Sequence, residues 1–382
     1  MRGLSVAAGT RAGIGEFDFP ATDRANVLFK AGSSQTANTA TSVRISGPDK
    51  VIGSIGGGHF CEQANTYTVH FAAVFDRPFT ATGTFQDGTT TPGGTAIDGP
   101  RAGAWVSFDT RQQRQVGMKI AISYVSTDNA LANLRAEIPS WDADSVAAST
   151  RAAWHRLLSK VQIGGGTRDQ QVQFYSALYH SLLHPNVFSD VNGQYPGFDG
   201  RVHTAPPGRA QYANFSGWDT YRTLVQLQAV IAPAETSQMM GSLVTTAEQG
   251  GWLPKWPVAN GYTNVMNGDA ADQLIASAYA FGARDFDTRA ALAAMVKGAT
   301  VVPTPDQLGQ GYYEQRPGLA DYQRDGCGNG RQTSHAHLLS LRGDVPGLGK
   351  SPGREERERG SRDDVKASVK SAGLDAPPIG SR

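Results

Sequence analysis

Cysteine is scarce in this chain. Cys61 and Cys327 are the only two among 382 residues, and most of the chain separates them. That excludes a disulfide framework and leaves no thiolate cluster to hold a metal. Charge is also sparse, at 18% of residues with a net value of +1, so no basic field favours nucleic acid or an anionic membrane surface. No apolar run approaches the length of a membrane span. The opening MRGLSVAAGTRAGIGEFDF lacks the sustained apolar core of a secretory signal. Aromatic residues are missing from Cys327 onward, where the charge run GREERERGSRDDVK stands. Such a stretch cannot bury enough apolar area to offset its ordering entropy. Residues 327–382 are therefore read as a disordered or out-of-frame tail.

What is present changes character along the chain. Residues 1 to about 135 alternate with period two. In VGMKIAISYV, Val116, Met118, Ile120, Ile122 and Tyr124 alternate with Gly117, Lys119, Ala121 and Ser123. TYTVHFAAVF repeats the pattern and AWVSFD adds a third strand, with Gly-rich turns between them, which predicts an antiparallel sandwich. Residues 142–160 switch to helical period, with Asp144 or Ser145 as the cap and Trp154, Leu157 and Leu158 on one face. TRDQQVQFYSALYHSLLHP then opens on Thr167 and Gln170 at capping-box spacing, carries a Phe174, Ala177, Leu178, Ser181, Leu182 stripe and stops at Pro185. Further helices are predicted over 219–231 (ended by Pro233), 236–249, 268–281 and 287–298. Long irregular loops join them, and on such a scaffold loops are where function sits.

Two of those loops concentrate aromatic and hydrogen-bonding side chains. NFSGWDTYR (214–222) is the first. GGWLPKWPVANGYTNVMNGDAAD (250–272) is the second, with Trp252, Trp256 and Tyr262 beside Lys255, Asn260, Asn264, Asn267, Asp269 and Asp272. A pyranose has apolar C–H faces that stack on aromatic rings and a rim of hydroxyls that wants Asp, Asn and Arg partners. Plainer readings stand beside this one. A Trp ahead of a helix anchors a core more often than it stacks a ligand. Asp219 and Asp269 can cap the helices they precede, and Asp219 can pair with Arg222 alone. Both loops precede helices, which lets them lie at one end of a helical layer. His180 and His184 are four apart, but no zinc motif accompanies them, and GGGTRDQ lacks the lysine of a nucleotide loop.

FSGWDTYRTLVQLQAVIAP, GGWLPKWPVANGYTNVMNGDAADQLIASAYAFGARDFD and DQQVQFYSALYHSLLHPNVFSD together resemble glycoside hydrolase family 92, the calcium-dependent exo-acting α-mannosidases, often α-1,2-specific. GEFDFPATDRANVLFK resembles that family's N-terminal domain, and the likeness runs from about residue 5 to about residue 326. It implies a multidomain β + α fold: a partial N-terminal antiparallel β-sandwich (1–140), a helical linker (141–163) and the first part of an (α/α)6 barrel (164–326), followed by the 327–382 tail. It also implies an active site between sandwich and barrel, secretion, and a mannose-containing oligosaccharide or N-glycan as partner.

By the same resemblance, Trp218, Asp219 and Arg222 match the WD-x-x-R motif. Trp256, Asn264, Met266, Gly268 and Asp269 match the second motif. These eight are the expected substrate-binding residues, with Asp219 foremost as a hydroxyl ligand. The family inverts with one carboxylic acid and one carboxylate, and its calcium takes oxygen ligands. The acid, base and calcium motifs have no counterpart here, since no Glu occurs between Glu314 and Glu355. The expectation is thus a fragment truncated at both ends, with no catalytic and no metal residue of its own and no turnover. The alternative is a non-catalytic carbohydrate-binding protein.

Overall fold

A computed structural model describes residues 3–32, 38–266, 268–304, 315, 316 and 318–325. The chain forms two compact units: residues 1–160 with 187–196 and 202–210, and residues 161–186 with 197–201 and 211–382.

The first unit is a two-sheet sandwich. Its strands are β1 (Gly3–Ala8), β2 (Ala12–Asp18), β3 (Ala25–Phe29), β4 (Ala40–Ile45), β5 (Lys50–Gly58), β6 (Thr66–Phe75), β7 (Ala81–Gln86), β8 (Thr89–Pro92), β9 (Ala96–Asp98), β10 (Ala102–Phe108) and β11 (Gln115–Ser123). The larger sheet runs β1-β2-β11-β6-β5-β4-β9 and the smaller β3-β10-β7-β8, with antiparallel pairing. Val43, Val51, Phe71, Phe75 and Val116 of the larger sheet meet Ala25, Ala104, Val106 and Phe108 of the smaller. The Phe75 ring lies 5.0 Å from Phe108 and 6.0 Å from Phe29, so aromatic packing joins the two sheets.

The alternation in β11 predicts one covered face, yet Lys119, Ala121 and Ser123 on the other face are buried as well. The cause is a helix that the strand reading missed, α1 (Thr127–Glu137). It lays Leu134, with Ile138 just beyond its end, over Ala12, Ile14 and Ala121. The signals for it are present but quiet: the Ser126 hydroxyl accepts from Asn129 N–H at 3.1 Å, Asp128 sits in the first turn and Arg135 in the last. Lys119 reaches out of this second layer, donating from Nζ to the Ile138 carbonyl at 3.1 Å and standing 4.3 Å from the Trp141 ring. Burial pushes its pKa down. A buried carboxylate, Asp190, closes the same layer. It accepts from Ser123 Oγ at 2.6 Å, Asn129 Nδ2 at 2.8 Å and Asn133 Nδ2 at 2.7 Å. The connector helix α2 (Ala143–Leu158) is capped earlier than expected. Asp142, not Asp144 or Ser145, accepts from Ser145 N–H at 2.9 Å.

The second unit is helical. In α3 (Arg168–His180) the Thr167–Gln170 capping box forms in both directions, at 3.3 and 2.9 Å. Of its expected stripe only Leu178 is buried within the helix, and the helix ends at His180, ahead of Pro185. The helix expected over 219–231 is two pieces, α4 (Gly217–Thr220) and α5 (Leu224–Ile231), broken at Thr223 with φ +64. Pro233 does not end a helix but opens α6 (Pro233–Gly250) at its first turn, where a missing N–H costs nothing. Helices α7 (Ala270–Ala280), α8 (Thr288–Thr300) and α9 (Leu319–Asp325) follow, α8 capped by Asp287 onto Arg289 and Ala290 N–H. Met239, Met240, Leu243, Val244 and Ala247 make α6 the buried centre of this unit. Residues 327–382 lie outside the described residues, so the tail expectation has no structural counterpart. No helix among the described residues is long and apolar enough to cross a membrane.

Candidate functional site

The two loops meet. Asn214 in the first accepts at Oδ1 from Ala259 N–H in the second at 2.8 Å. Gly217 lies so close to the second loop that a Cβ there would stand 3.1 Å from Ala270 Cβ and 3.2 Å from the Lys255 carbonyl. A side chain at that crossing would press the second loop by a few tenths of an ångström. The two loops that carry the eight candidate residues are thereby joined at Asn214–Ala259 and at Gly217.

The backbone of this patch is strained. Asn214 (φ +63), Thr223 (+64), Ala259 (+50), Asn264 (+54) and Met266 (+65) all occupy the left-handed region, and Gly268 (+83) continues the run. For a β-branched residue such as Thr223 this is a true outlier. Each non-Gly case costs on the order of 1–3 kcal/mol and persists only where surrounding contacts over-determine it. Hydrogen bonds hold these loops. The Thr263 hydroxyl donates to the Trp256 carbonyl and accepts from Val265 N–H at 3.3 Å. Asn260 Nδ2 donates to the Gly197 carbonyl at 3.2 Å, and Gln226 Nε2 to the Tyr221 carbonyl at 3.1 Å.

The aromatic residues divide in two. Trp252 and Tyr262 belong to the core, not to a stacking surface. They cluster with Phe198, and Tyr262 Oη donates to the Trp252 carbonyl at 2.7 Å. Burial raises the Tyr262 pKa. Gly250 is bare because a Cβ would lie 2.3 Å from Tyr262 Oη. Lys297 Nζ covers the Trp252 ring at 4.4 Å. Trp218, by contrast, is 51% exposed and Met266 45%, while Trp256 is half-buried.

The polar residues divide likewise. Asp219 is exposed, and its carboxylate has no hydrogen bond or ion pair among the described residues. It does not cap α4 and does not pair with Arg222, whose Nε donates to Tyr221 Oη and whose Cζ lies 5.0 Å from the Tyr221 ring. His184 feels the Asp219 charge, but burial dominates and its pKa falls. Asn264 Oδ1 is buried with no donor among the described residues. Such an orphaned acceptor costs about 1–3 kcal/mol until something fills it.

Asp269 occupies the cap position of α7 yet makes no cap bond. Its Oδ2 receives Arg316 at 2.5 Å, and the same guanidinium reaches Asp272 Oδ2 at 2.8 Å. Gln315 Nε2 adds a 3.4 Å contact to Asp272 Oδ1. Burial, with the Asp269 charge added, pushes the Asp272 carboxyl up to about 8 against the pull of Arg316. Arg316 and Gln315 were not singled out from the sequence, because nothing in EQRPG marks a residue whose partners lie more than forty positions earlier. For calcium the fit is poor. The two buried carboxylates here already hold a cation, and among the described residues no group of three or more His, Cys, Asp or Glu converges as a metal site.

The chain thus orders a two-sheet sandwich ahead of a helical unit that carries a joined pair of polar, aromatic loops. The sequence profile of the glycosyl hydrolase family 92 N-terminal domain matches residues 4–123, and that of the family 92 catalytic domain matches residues 129–337. The chain belongs to glycosyl hydrolase family 92, a family of glycosidases. Among solved structures, that of a family GH92 α-mannosidase from Bacteroides thetaiotaomicron is 25% identical, with a TM-score of 0.73, covering 84% of this chain and 42% of that one. A family GH92 inverting mannosidase from the same species gives 23% identity and TM-score 0.77 over 97% of this chain and 48% of that one. The B. thetaiotaomicron α-mannosidase in complex with mannoimidazole gives 23% and 0.78 over 96% and 47%. This chain therefore spans less than half the length of these solved structures. No curated protein matches it by sequence.

Proposed function

We propose that this chain recognises the non-reducing mannose of an α-mannoside, in a protein descended from inverting exo-α-mannosidases that act on substrates such as N-glycans. The observation that carries the reading is the joined loop pair. An exposed Trp218 ring and an unpaired Asp219 carboxylate stand on one loop. The other, hydrogen-bonded to it through Asn214, carries the half-buried Trp256 and the orphaned Asn264 acceptor. Trp218 and Trp256 supply faces for the sugar's C–H surface. Asp219, Arg222 and Asn264 supply hydroxyl partners, with Met266 and Gly268 shaping the wall.

Sugar binding without turnover is the property we assign to this chain by itself. Inversion needs a protonated acid and a separate base carboxylate on opposite sides of the sugar. Of the carboxyls in the patch, Asp269 and Asp272 share Arg316. Asp219 is left as a ligand without a second partner. Secretion is part of the same proposal and rests on family likeness; calcium is not proposed for this chain, whose two buried carboxyl groups already face Arg316. Titration of methyl α-mannoside into the purified chain tests it, with millimolar binding in the wild type and none in Asp219→Ala. Calcium-stimulated release of mannose by this chain would overturn the assignment of binding alone. Absence of any binding by the wild type would overturn the whole reading.

A further inference from the structure

We propose that Arg316 is a positioning residue for the candidate sugar site, holding Asn264, Met266 and Gly268 in their positive-φ conformations by clamping Asp269 to Asp272 in the first turn of α7. This rests on the mannoside reading for its purpose, though not for its geometry. The loop carries three positive-φ residues at alternate positions, Asn264, Met266 and Gly268. A segment of that kind relaxes unless both ends are pinned. The upstream end is held by the Thr263 hydroxyl, bonded to the Trp256 carbonyl and Val265 N–H. The downstream end is Asp269, whose carboxylate receives Arg316, while the helix cap that Asp269 is placed to make is not made.

The clamp is dry. Side chains of Asp269, Arg316 and Asp272 are 1%, 7% and 10% exposed, so the interaction is little screened and a loss is felt in full. It is also a forked arrangement. One planar guanidinium addresses both carboxyl groups, which a single ammonium does not reproduce. Space for the segment that delivers it comes from Gly298 on α8, where a Cβ would stand 2.3 Å from Gln315 Oε1. The Arg316 carbonyl accepts from Leu319 N–H at 3.1 Å, seating the start of α9. Asp269 on this view serves the loop's shape and does not touch the sugar, which reassigns one of the eight residues expected to bind it.

Hydrogen–deuterium exchange on the full chain tests the clamp directly and without a ligand. In Arg316→Gln the amides of residues 263–268 exchange about tenfold faster than in the wild type, while α6 and the sandwich stay within about twofold. Arg316→Lys behaves like Arg316→Gln, because it restores charge but not the fork. Arg324→Gln, which removes an exposed arginine of α9, leaves the loop unchanged. Should Arg316→Gln not fold, Asp269→Asn gives the same local acceleration. Exchange of 263–268 within twofold of wild type in the variant that folds would overturn the proposal. So would an acceleration spread evenly over α5 to α8, since that marks general loss of packing. The mannoside titration is read separately. If the wild type binds no mannoside the sugar reading fails, and the exchange result still decides the clamp. If it binds, the clamp variants lose at least tenfold in affinity.

Discussion

Replacing Asp272 by Asn gives a prediction whose size follows from the structure. The carboxyl is buried beside Asp269, and its pKa is pushed from the ordinary 3.8 to about 8, with Arg316 pulling the other way. Between those two values the folded chain keeps a proton that the unfolded chain has released. Stability therefore falls as pH rises through that window, by at most about 1.4 kcal/mol per pH unit for one proton. From pH 5.5 to 7.5 that limit is about 2.8 kcal/mol, and about 2 kcal/mol is expected because Arg316 and Asp269 share the titration. The Asn side chain keeps an acceptor for Arg316 but carries no titration. Thermal unfolding of both proteins at both pH values isolates the effect, since groups not coupled to Asp272 cancel in the difference of differences. The wild type should lose about 4–8 °C relative to Asp272→Asn on going from pH 5.5 to 7.5. An equal offset between the two proteins at both pH values would refute the argument that this carboxyl is held neutral by burial.

Asp190→Ala should cost about 3 kcal/mol in urea unfolding, because Ser123, Asn129 and Asn133 all lose a buried acceptor at once. Phe75→Ala, at the centre of the inter-sheet core, should cost about 3–5 kcal/mol. Thr223→Gly should raise the melting temperature, with a gain of about 1 kcal/mol, since glycine takes the φ of +64 without the strain a β-branched residue pays. Asp219→Ala should change stability by under about 0.5 kcal/mol while abolishing mannoside binding, because the carboxylate has no bonded partner among the described residues.

Local pattern was enough for much of this protein. Period-two alternation placed β6, β10 and β11, and the Thr167–Gln170 and Asp287 caps marked two helix starts, because each is a property of residues within one turn or strand of each other. The mixture of Trp, Asp, Asn and Arg in two loops was legible for the same reason. Tertiary structure decided the rest. Whether Ser123 and Lys119 face water or a helix depends on α1 folding back over the sheet. Whether an indole stacks a ligand or fills a core depends on Phe198 and Lys297, which come from elsewhere in the chain and bury Trp252 while leaving Trp218 open. The break at Thr223 sits inside a run that local propensity reads as one helix. Asp269 looked like a cap and became half of a clamp because Arg316, forty-seven residues on, arrives with a charge the helix amides cannot match. A sequence states which groups a segment offers; long-range packing selects which of them remain free, because burial and pairing are set by neighbours that no local window contains.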